Sequence, residues 1–287
     1  MKSTGATLLC GLIGAGIQRS LAPALHEGEA AAQGLRCDYR LIDLDVLGAG
    51  VEALPKLLAD AERQGYSGLN ITYPCKQAVV PLLQELSPEA RALGAVNTVL
   101  LGNGRRVGHN TDATGFAASF RRGLPEAKLD RVLLLGAGGA GSAVGHAALS
   151  LGVKTLLLHD VEAPSARRLA GSLQAMFPRA AVSAVADVAS AMASVDGLIH
   201  CTPTGMSIRP GMALEAALVE KRHWVADIVY VPLETELLRA ARAKGCRTLD
   251  GGGMAVFQAA GAFRLFTGRD ADAARMEAHF RKLVAKY

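Results

Sequence analysis

Short apolar runs alternate with longer segments whose apolar positions recur every three or four residues, and this rhythm predicts an α/β fold. Strands are expected at Thr7–Ile13, Asp38–Asp43 and Gly68–Thr72, with helical spacing over Ala22–Gln33 and Val51–Arg63 between them. Such alternation implies parallel strands joined by crossover helices. Two further strands, Thr98–Leu101 and Arg106–His109, flank Gly102-Asn103-Gly104, and Asn-Gly is a strong two-residue hairpin signal, so the first sheet is mixed. Asp112–Arg122 reads as a helix ending at Gly123. The pattern then restarts with strands at Arg131–Leu135, Thr155–His159, Gly197–His200, Trp224–Val229 and Arg247–Asp250, as in a doubly wound sheet. Met254–Tyr287 is mostly helical, interrupted at Thr267-Gly268.

At 287 residues the chain suits two domains of ordinary size. The expected division is a mixed α/β domain over 1–112, a doubly wound Rossmann domain over 113–253, and a helical segment over 254–287 that packs back on the first domain. A cleft is expected between the two domains. The net charge of +5 and pI near 9.0 come from scattered residues, with clusters no longer than pairs such as Arg121-Arg122 and Arg167-Arg168. That argues against nucleic acid as a partner and suits a small anionic ligand. The five cysteines, at 10, 37, 75, 201 and 246, are odd in number and never form Cys-x-x-Cys, so neither a disulfide framework nor a zinc site is expected. The seven histidines lack ligand spacing; no metal is predicted, and core or surface roles suffice for them.

Met1-Lys2 and the apolar run Ala6–Ile17, followed by Ala22-Pro23-Ala24, superficially resemble a secretory leader. Gly11, Gly14 and Gly16 make that run a poor helix, and it is too short to span a bilayer. It reads as a buried first strand, and a cytoplasmic protein without membrane association is expected.

Two stretches carry chemistry. In Gly68-Leu69-Asn70-Ile71-Thr72-Tyr73-Pro74-Cys75-Lys76 an apolar strand delivers a lysine onto a helix expected to start at Pro74 and run through Val80. There the positive end of the helix dipole disfavours a cation, which favours a lysine that exchanges protons. In Gly136-Ala137-Gly138-Gly139-Ala140-Gly141, Gly-x-Gly-x-x-Gly follows a strand and precedes a helix expected over Ser142–Leu151. Glycines there permit a tight turn and close approach to a pyrophosphate held by free N–H groups. Asp160, at the end of the next strand, is placed to accept ribose hydroxyls and to repel a 2′-phosphate, which favours NAD over NADP; a plain turn aspartate is the alternative.

With these pieces in order, the chain resembles the shikimate and quinate dehydrogenase family over nearly its whole length. The likeness rests on Gly11-Leu12-Ile13-Gly14, Ser20-Leu21-Ala22-Pro23 with His26, Asn70-Ile71-Thr72 through Lys76, Gly94-Ala95-Val96-Asn97-Thr98 and Gly108-His109-Asn110-Thr111-Asp112. It continues through the glycine loop, Thr202-Pro203-Thr204-Gly205-Met206, Asp227-Ile228-Val229-Tyr230 with Pro232, and Met254 through Gln258. The NAD-preferring branch is the nearer match. The resemblance implies a Lys76/Asp112 dyad at the reacting C3 hydroxyl, Ser20 at the C1 carboxylate, and Thr72, Asn97 and Gln258 on ring hydroxyls with Tyr230 near the carboxylate. It implies Gly136, Ala137, Gly138, Gly139 and Ala140 around the pyrophosphate, Asp160 at the ribose, and Thr202, Ile228 and Gly251 at the nicotinamide half. Ala22 stands where the family commonly carries a hydroxyl, which implies poorer quinate than shikimate binding; Gly251-Gly252-Gly253 and Phe257 also alter the pocket wall. Quinate or an amino analogue as substrate, and a ligand-sensing module without turnover, are the competing readings. The chain is expected to act as a monomer or homodimer.

Overall fold

The structure is a computed structural model that describes residues 7–286; Met1, Lys2, Ala6 and Tyr287 of the readings above lie outside the described residues. The chain forms two compact units, one of residues up to Thr111 together with Val256–Leu283, the other of Asp112–Ala255 with the residues from Val284 on.

The first unit contains β1 (Leu8–Gly14), α1 (Ala22–Ala32), β2 (Cys37–Asp43), α2 (Leu44–Leu47), α3 (Leu54–Arg63), β3 (Gly68–Ile71), α4 (Cys75–Ala78), β4 (Glu85–Leu86), α5 (Pro88–Leu93), β5 (Thr98–Gly102) and β6 (Arg105–His109). Its six strands lie in the order β2-β1-β3-β5-β6-β4. β1 runs parallel to β2 and β3, whereas β3, β5 and β6 pair antiparallel, so the sheet is mixed as expected. Asn103 and Gly104 both have positive φ, 53° and 71°, the backbone of the tight hairpin turn that Asn-Gly favours. One face of the sheet packs on Leu44, Leu54 and Leu58. On the other face Cys10, Leu12 and Tyr39 pack against Ala262 and Phe266, so the apolar run at the start of β1 is a buried strand.

The second unit contains α6 (Asp112–Gly123), β7 (Arg131–Leu135), α7 (Gly139–Ser150), β8 (Thr155–His159), α8 (Ala163–Met176), β9 (Ala181–Ala184), α9 (Val188–Met192), β10 (Gly197–His200), β11 (Trp224–Asp227), α10 (Glu236–Ala243) and β12 (Arg247–Leu249). Its sheet, ordered β12-β11-β10-β7-β8-β9, is parallel throughout. The strand order reverses at β7, and the crevice beyond the ends of β7 and β10 is therefore the place where such sheets bind ligands. The helices α11 (Gly252–Thr267) and α12 (Ala273–Val284) complete the chain, and α11 carries it back into the first unit at Val256. Among the described residues no helix is long and apolar enough to cross a membrane, and no group of His, Cys, Asp and Glu is arranged to hold a metal.

Helix α12 is fastened to α1 by a buried carboxylate. Glu29 accepts from Arg275 Nε at 2.9 Å and Nη2 at 2.7 Å, from Asp272 N at 2.9 Å and from Gln33 Nε2 at 2.7 Å. Burial by itself raises the Glu29 pKa, but these donors outweigh it and hold the group below its ordinary 4.5. Beside it, burial pushes His26, stacked on Tyr39 at 4.8 Å, down from 6.5 to about 4. The neutral imidazole favours the folded state, so His26 costs stability as pH falls from about 6.5 towards 4. The Glu29 contribution is present above its ordinary pKa and is lost as pH falls below about 4.5. Glu29→Gln is expected to cost about 2–3 kcal/mol at pH 7, from lost charge-assisted hydrogen bonds. Melting temperatures between pH 7 and pH 3.5 should show the penalty shrinking at the acid end; a penalty independent of pH would show that charge is not what Glu29 contributes.

Candidate functional site

In the first unit the backbone gathers Lys76, Thr72 and Asn97. Thr72 N donates to Ile13 O at 2.9 Å, Ile71 N to Asn97 O at 2.8 Å, and Val96 N to the Lys76 carbonyl at 2.8 Å. The end of β3, the Lys76 turn and the loop after α5 are thereby tied edge to edge, with Lys76 half-buried. The turn differs from its expected form. Pro74 precedes the helix instead of opening it, and α4 stops at Ala78 with a 3-10 turn over Val80–Leu82, because Pro81 has no N–H to continue the ladder. A single turn sums few peptide dipoles, so Lys76 does not meet the field of a long helix.

Asn97 is buried and tightly engaged. Its Oδ1 accepts from Thr111 N at 2.8 Å and Thr98 Oγ1 at 3.0 Å, and its Nδ2 donates to Thr111 Oγ1 at 2.9 Å. Asn70 continues this buried network, donating to Thr98 Oγ1 and accepting from the Tyr39 hydroxyl at 2.7 Å. The carboxamide of Asn97 thus has a fixed orientation before any ligand arrives. Gln258 lies on α11 one turn before Gly261, whose absent side chain lets the helix pass Thr111: a Cβ there would stand 3.2 Å from the threonine methyl. Ser20 Oγ accepts from Ala22 N at 3.3 Å across the start of α1, where Ala22 presents only a methyl.

Asp112 and Tyr230 belong to the second unit. Asp112 is the first residue of α6 and 5 % exposed, while Tyr230 is 39 % exposed after β11.

The residues expected around a dinucleotide lie along the strand ends of the second sheet. Gly136 has φ +99°, and a Cβ on Gly141 would lie 2.0 Å from the Gly136 carbonyl oxygen, so both positions demand glycine. Helix α7 begins at Gly139, earlier than expected, with Gly138 at the cap in an extended conformation and no side chain capping the first turn. Open space surrounds the place where a Gly138 Cβ would project. An uncapped twelve-residue helix opening onto free space suits a pyrophosphate, whose oxygens would satisfy the first-turn N–H groups. Asp160 is already at work there: Oδ2 accepts from Ala137 N at 2.6 Å and Oδ1 from Glu162 N at 2.8 Å. The carboxylate pins the glycine loop, and the Ala137 N–H expected at a pyrophosphate is engaged by Asp160 instead.

Thr202 follows β10 and adjoins the same loop, since a Cβ on Gly136 would lie 3.1 Å from Thr202 N. Ile228 N donates to His200 O at 3.1 Å, and Gly251 approaches so closely that a Cβ would stand 2.3 Å from Ile228 O. Thr202, Ile228 and Gly251 therefore share one edge. Behind them lies a network that the sequence did not announce. His200 Nδ1 pairs with Asp227 Oδ1 at 2.9 Å and His200 Nε2 with Thr202 Oγ1 at 2.5 Å, while Asp227 also accepts from Thr235 Oγ1 at 2.7 Å and Val229 N at 3.0 Å. His200 is thus not an ordinary core histidine; the pairing arises only because β10 and β11 align His200 with Asp227.

A model described as the shikimate dehydrogenase substrate binding domain matches residues 12–99, and one described as the shikimate 5'-dehydrogenase C-terminal domain matches residues 251–279. A shikimate dehydrogenase (NADP(+)) of an Arthrobacter species is 55% identical over 99% of this chain and 98% of its own length. The chain belongs to the shikimate dehydrogenase family. Another member, a quinate/shikimate dehydrogenase (NAD(+)) of Corynebacterium efficiens, is 47% identical over 96% of this chain and 99% of its own. Among solved structures of the family, quinate dehydrogenase from Corynebacterium glutamicum in complex with NAD superposes with TM-score 0.91 at 46% identity, covering 96% of this chain and 99% of that one. Shikimate 5-dehydrogenase from Thermus thermophilus, in complex with NADP(H) and shikimate, gives TM-score 0.85 at 34% identity, with coverage of 96% and 99%. The family thus includes relatives named for either nicotinamide cofactor, and the chain is a dehydrogenase of this family.

Proposed function

We propose that the chain is an NAD-dependent dehydrogenase that reversibly oxidises the C3 hydroxyl of shikimate to 3-dehydroshikimate. The observation that carries this reading beyond the family is the acidic end of β8. Asp160 and Glu162 stand on either side of Val161, which is 94 % exposed, and the next basic residues are Arg167 and Arg168 on α8. A 2′-phosphate arriving there meets two carboxylates and no adjacent cation, whereas ribose hydroxyls find acceptors.

In this reading the first unit binds the substrate and the second the dinucleotide. The nicotinamide supplies the hydride acceptor when bound. Lys76 takes the proton of the C3 hydroxyl during oxidation and returns it during reduction, and Asp112 orients both Lys76 and the substrate. Ser20 holds the carboxylate, and Thr72, Asn97 and Gln258 meet ring hydroxyls with Tyr230 near the carboxylate end. Side chains fixed in advance suit a polyhydroxylated ring, because each buried hydroxyl left unmatched costs about 1–3 kcal/mol.

Initial rates with shikimate and quinate, each against NAD and NADP, test the assignment. Turnover of shikimate with NAD, weak with NADP, is expected; preference for NADP would overturn the cofactor assignment, and preference for quinate the substrate assignment. Ala22→Ser should raise quinate affinity by about twofold to tenfold, the worth of one neutral hydrogen bond, with little change for shikimate. Equal gains for both acids would show that the residue meets the carboxylate alone.

A further inference from the structure

We infer that His200, locked by Asp227, is a positioning residue that holds the Thr202 hydroxyl as a fixed acceptor for an amide N–H of the dinucleotide's nicotinamide end; this rests on the reading above that Thr202 lines that end. His200 and Asp227 are 1 % and 2 % exposed, so their pairing is shielded from competing water. The proton directions follow from what surrounds the carboxylate. Asp227 Oδ1 receives Val229 N–H, and Oδ2 faces the hydroxyl of Thr235, whose own oxygen accepts from Leu238 N at 3.2 Å. Thr235 therefore gives its proton to Asp227, and His200 Nδ1 must carry the hydrogen it shares with the same group. In the neutral imidazole this leaves Nε2 as an acceptor, and the donor within reach is Thr202 Oγ1–H at 2.5 Å. With its hydrogen committed and one approach used by Thr204 N at 3.3 Å, the Thr202 oxygen offers its remaining lone pair to a donor.

The place of this oxygen selects the donor. Thr202 N lies beside Gly136 at the point where strand order reverses, and Ile228 and Gly251 flank it along the strand ends. A dinucleotide whose pyrophosphate sits on α7 extends its second half along this edge. A nicotinamide carries a carboxamide with two N–H donors, and a threonine free to rotate would offer either its hydrogen or its lone pair. His200 removes the wrong choice.

Two isosteric replacements separate positioning from packing. The amide of glutamine reaches the place of Nε2, and that of asparagine the place of Nδ1. Dissociation constants of NAD and ADP-ribose should be measured for His200→Gln, His200→Asn and Thr202→Val. His200→Asn and Thr202→Val are expected to weaken NAD about tenfold and leave ADP-ribose within twofold, with the double variant no worse than either; His200→Gln stays near wild type. Equal weakening of both ligands by His200→Asn, or full retention of NAD affinity, would overturn the positioning role. An unchanged Thr202→Val would overturn the placement of Thr202 itself and the inference with it. Should His200→Asn not fold, Thr202→Ser decides: serine lacks the γ-methyl that steadies threonine, so wild-type affinity is expected while the imidazole holds its hydroxyl, and a tenfold loss of NAD affinity overturns the inference.

Discussion

Replacing Lys76 by alanine is expected to lower kcat by about 10²- to 10⁴-fold while leaving the dissociation constant of the dinucleotide unchanged. Hydride loss from a carbinol whose hydroxyl kept its proton would leave a protonated ketone, a strongly acidic species far too high in energy at neutral pH, so removal of the hydroxyl proton must accompany hydride transfer. Lys76 sits on a short turn whose carbonyl is held by Val96 N, so the side chain starts from a fixed origin. Lys76→Arg should fail almost as badly, because a guanidinium keeps its charge at every accessible pH and cannot accept a proton. Steady-state rates and dinucleotide titration of the same preparations check both points. A loss in kcat below tenfold for Lys76→Ala would remove Lys76 from proton transfer; a parallel loss of dinucleotide binding would point to disruption of the fold instead.

The second large effect concerns cofactor choice. Val161→Arg combined with Glu162→Ser should shift the ratio of kcat/KM for NADP over NAD upwards by about 10- to 100-fold. Two unit charges 4 Å apart interact by about 4 kcal/mol at an effective dielectric of about 20, and exposure reduces this to an order of 1–3 kcal/mol. Both positions are exposed, and Asp160 is left in place because its oxygens hold Ala137 N and Glu162 N. Adding a cation and removing a carboxylate therefore changes the field at the ribose without loosening the glycine loop. An unchanged ratio would show that the end of β8 does not face the 2′ position.

Much of the molecule was legible locally. Asn103-Gly104 specified its hairpin because few other residues tolerate two successive positive φ angles, and the structure contains that turn. The strands Arg131–Leu135, Thr155–His159 and Gly197–His200 were readable to the residue, since uninterrupted apolar runs bounded by glycine or polar residues leave little choice. The expected Lys76 helix, Pro74 through Val80, stops short of Pro81, yet the regular turn is shorter still, Cys75–Ala78, with a 3-10 turn over Val80–Leu82. Glu85-Leu86 is too short to signal a strand and Ala181–Ala184 is built mostly on alanine, a weak strand former, so β4 and β9 depend on pairing with β6 and β8.

The alternation of elements, the glycine loop between β7 and α7, and the residues that bear reactive or hydrogen-bonding groups follow from the chain alone, because backbone sterics and hydrophobic period act over a few residues. What those groups do to one another depends on how the elements pack. His200 and Asp227 are 27 residues apart and meet because two parallel strands stand in register; Glu29 and Arg275 are 246 apart and meet because α12 returns to α1. Asp160, which its place in the sequence suggests as a ribose acceptor, clasps the glycine loop through a bond to Ala137 that no spacing rule contains. Contacts of this kind are fixed by burial, where an unpaired polar group is costly, and the partner is chosen by the packing of the whole unit instead of by its neighbours in sequence.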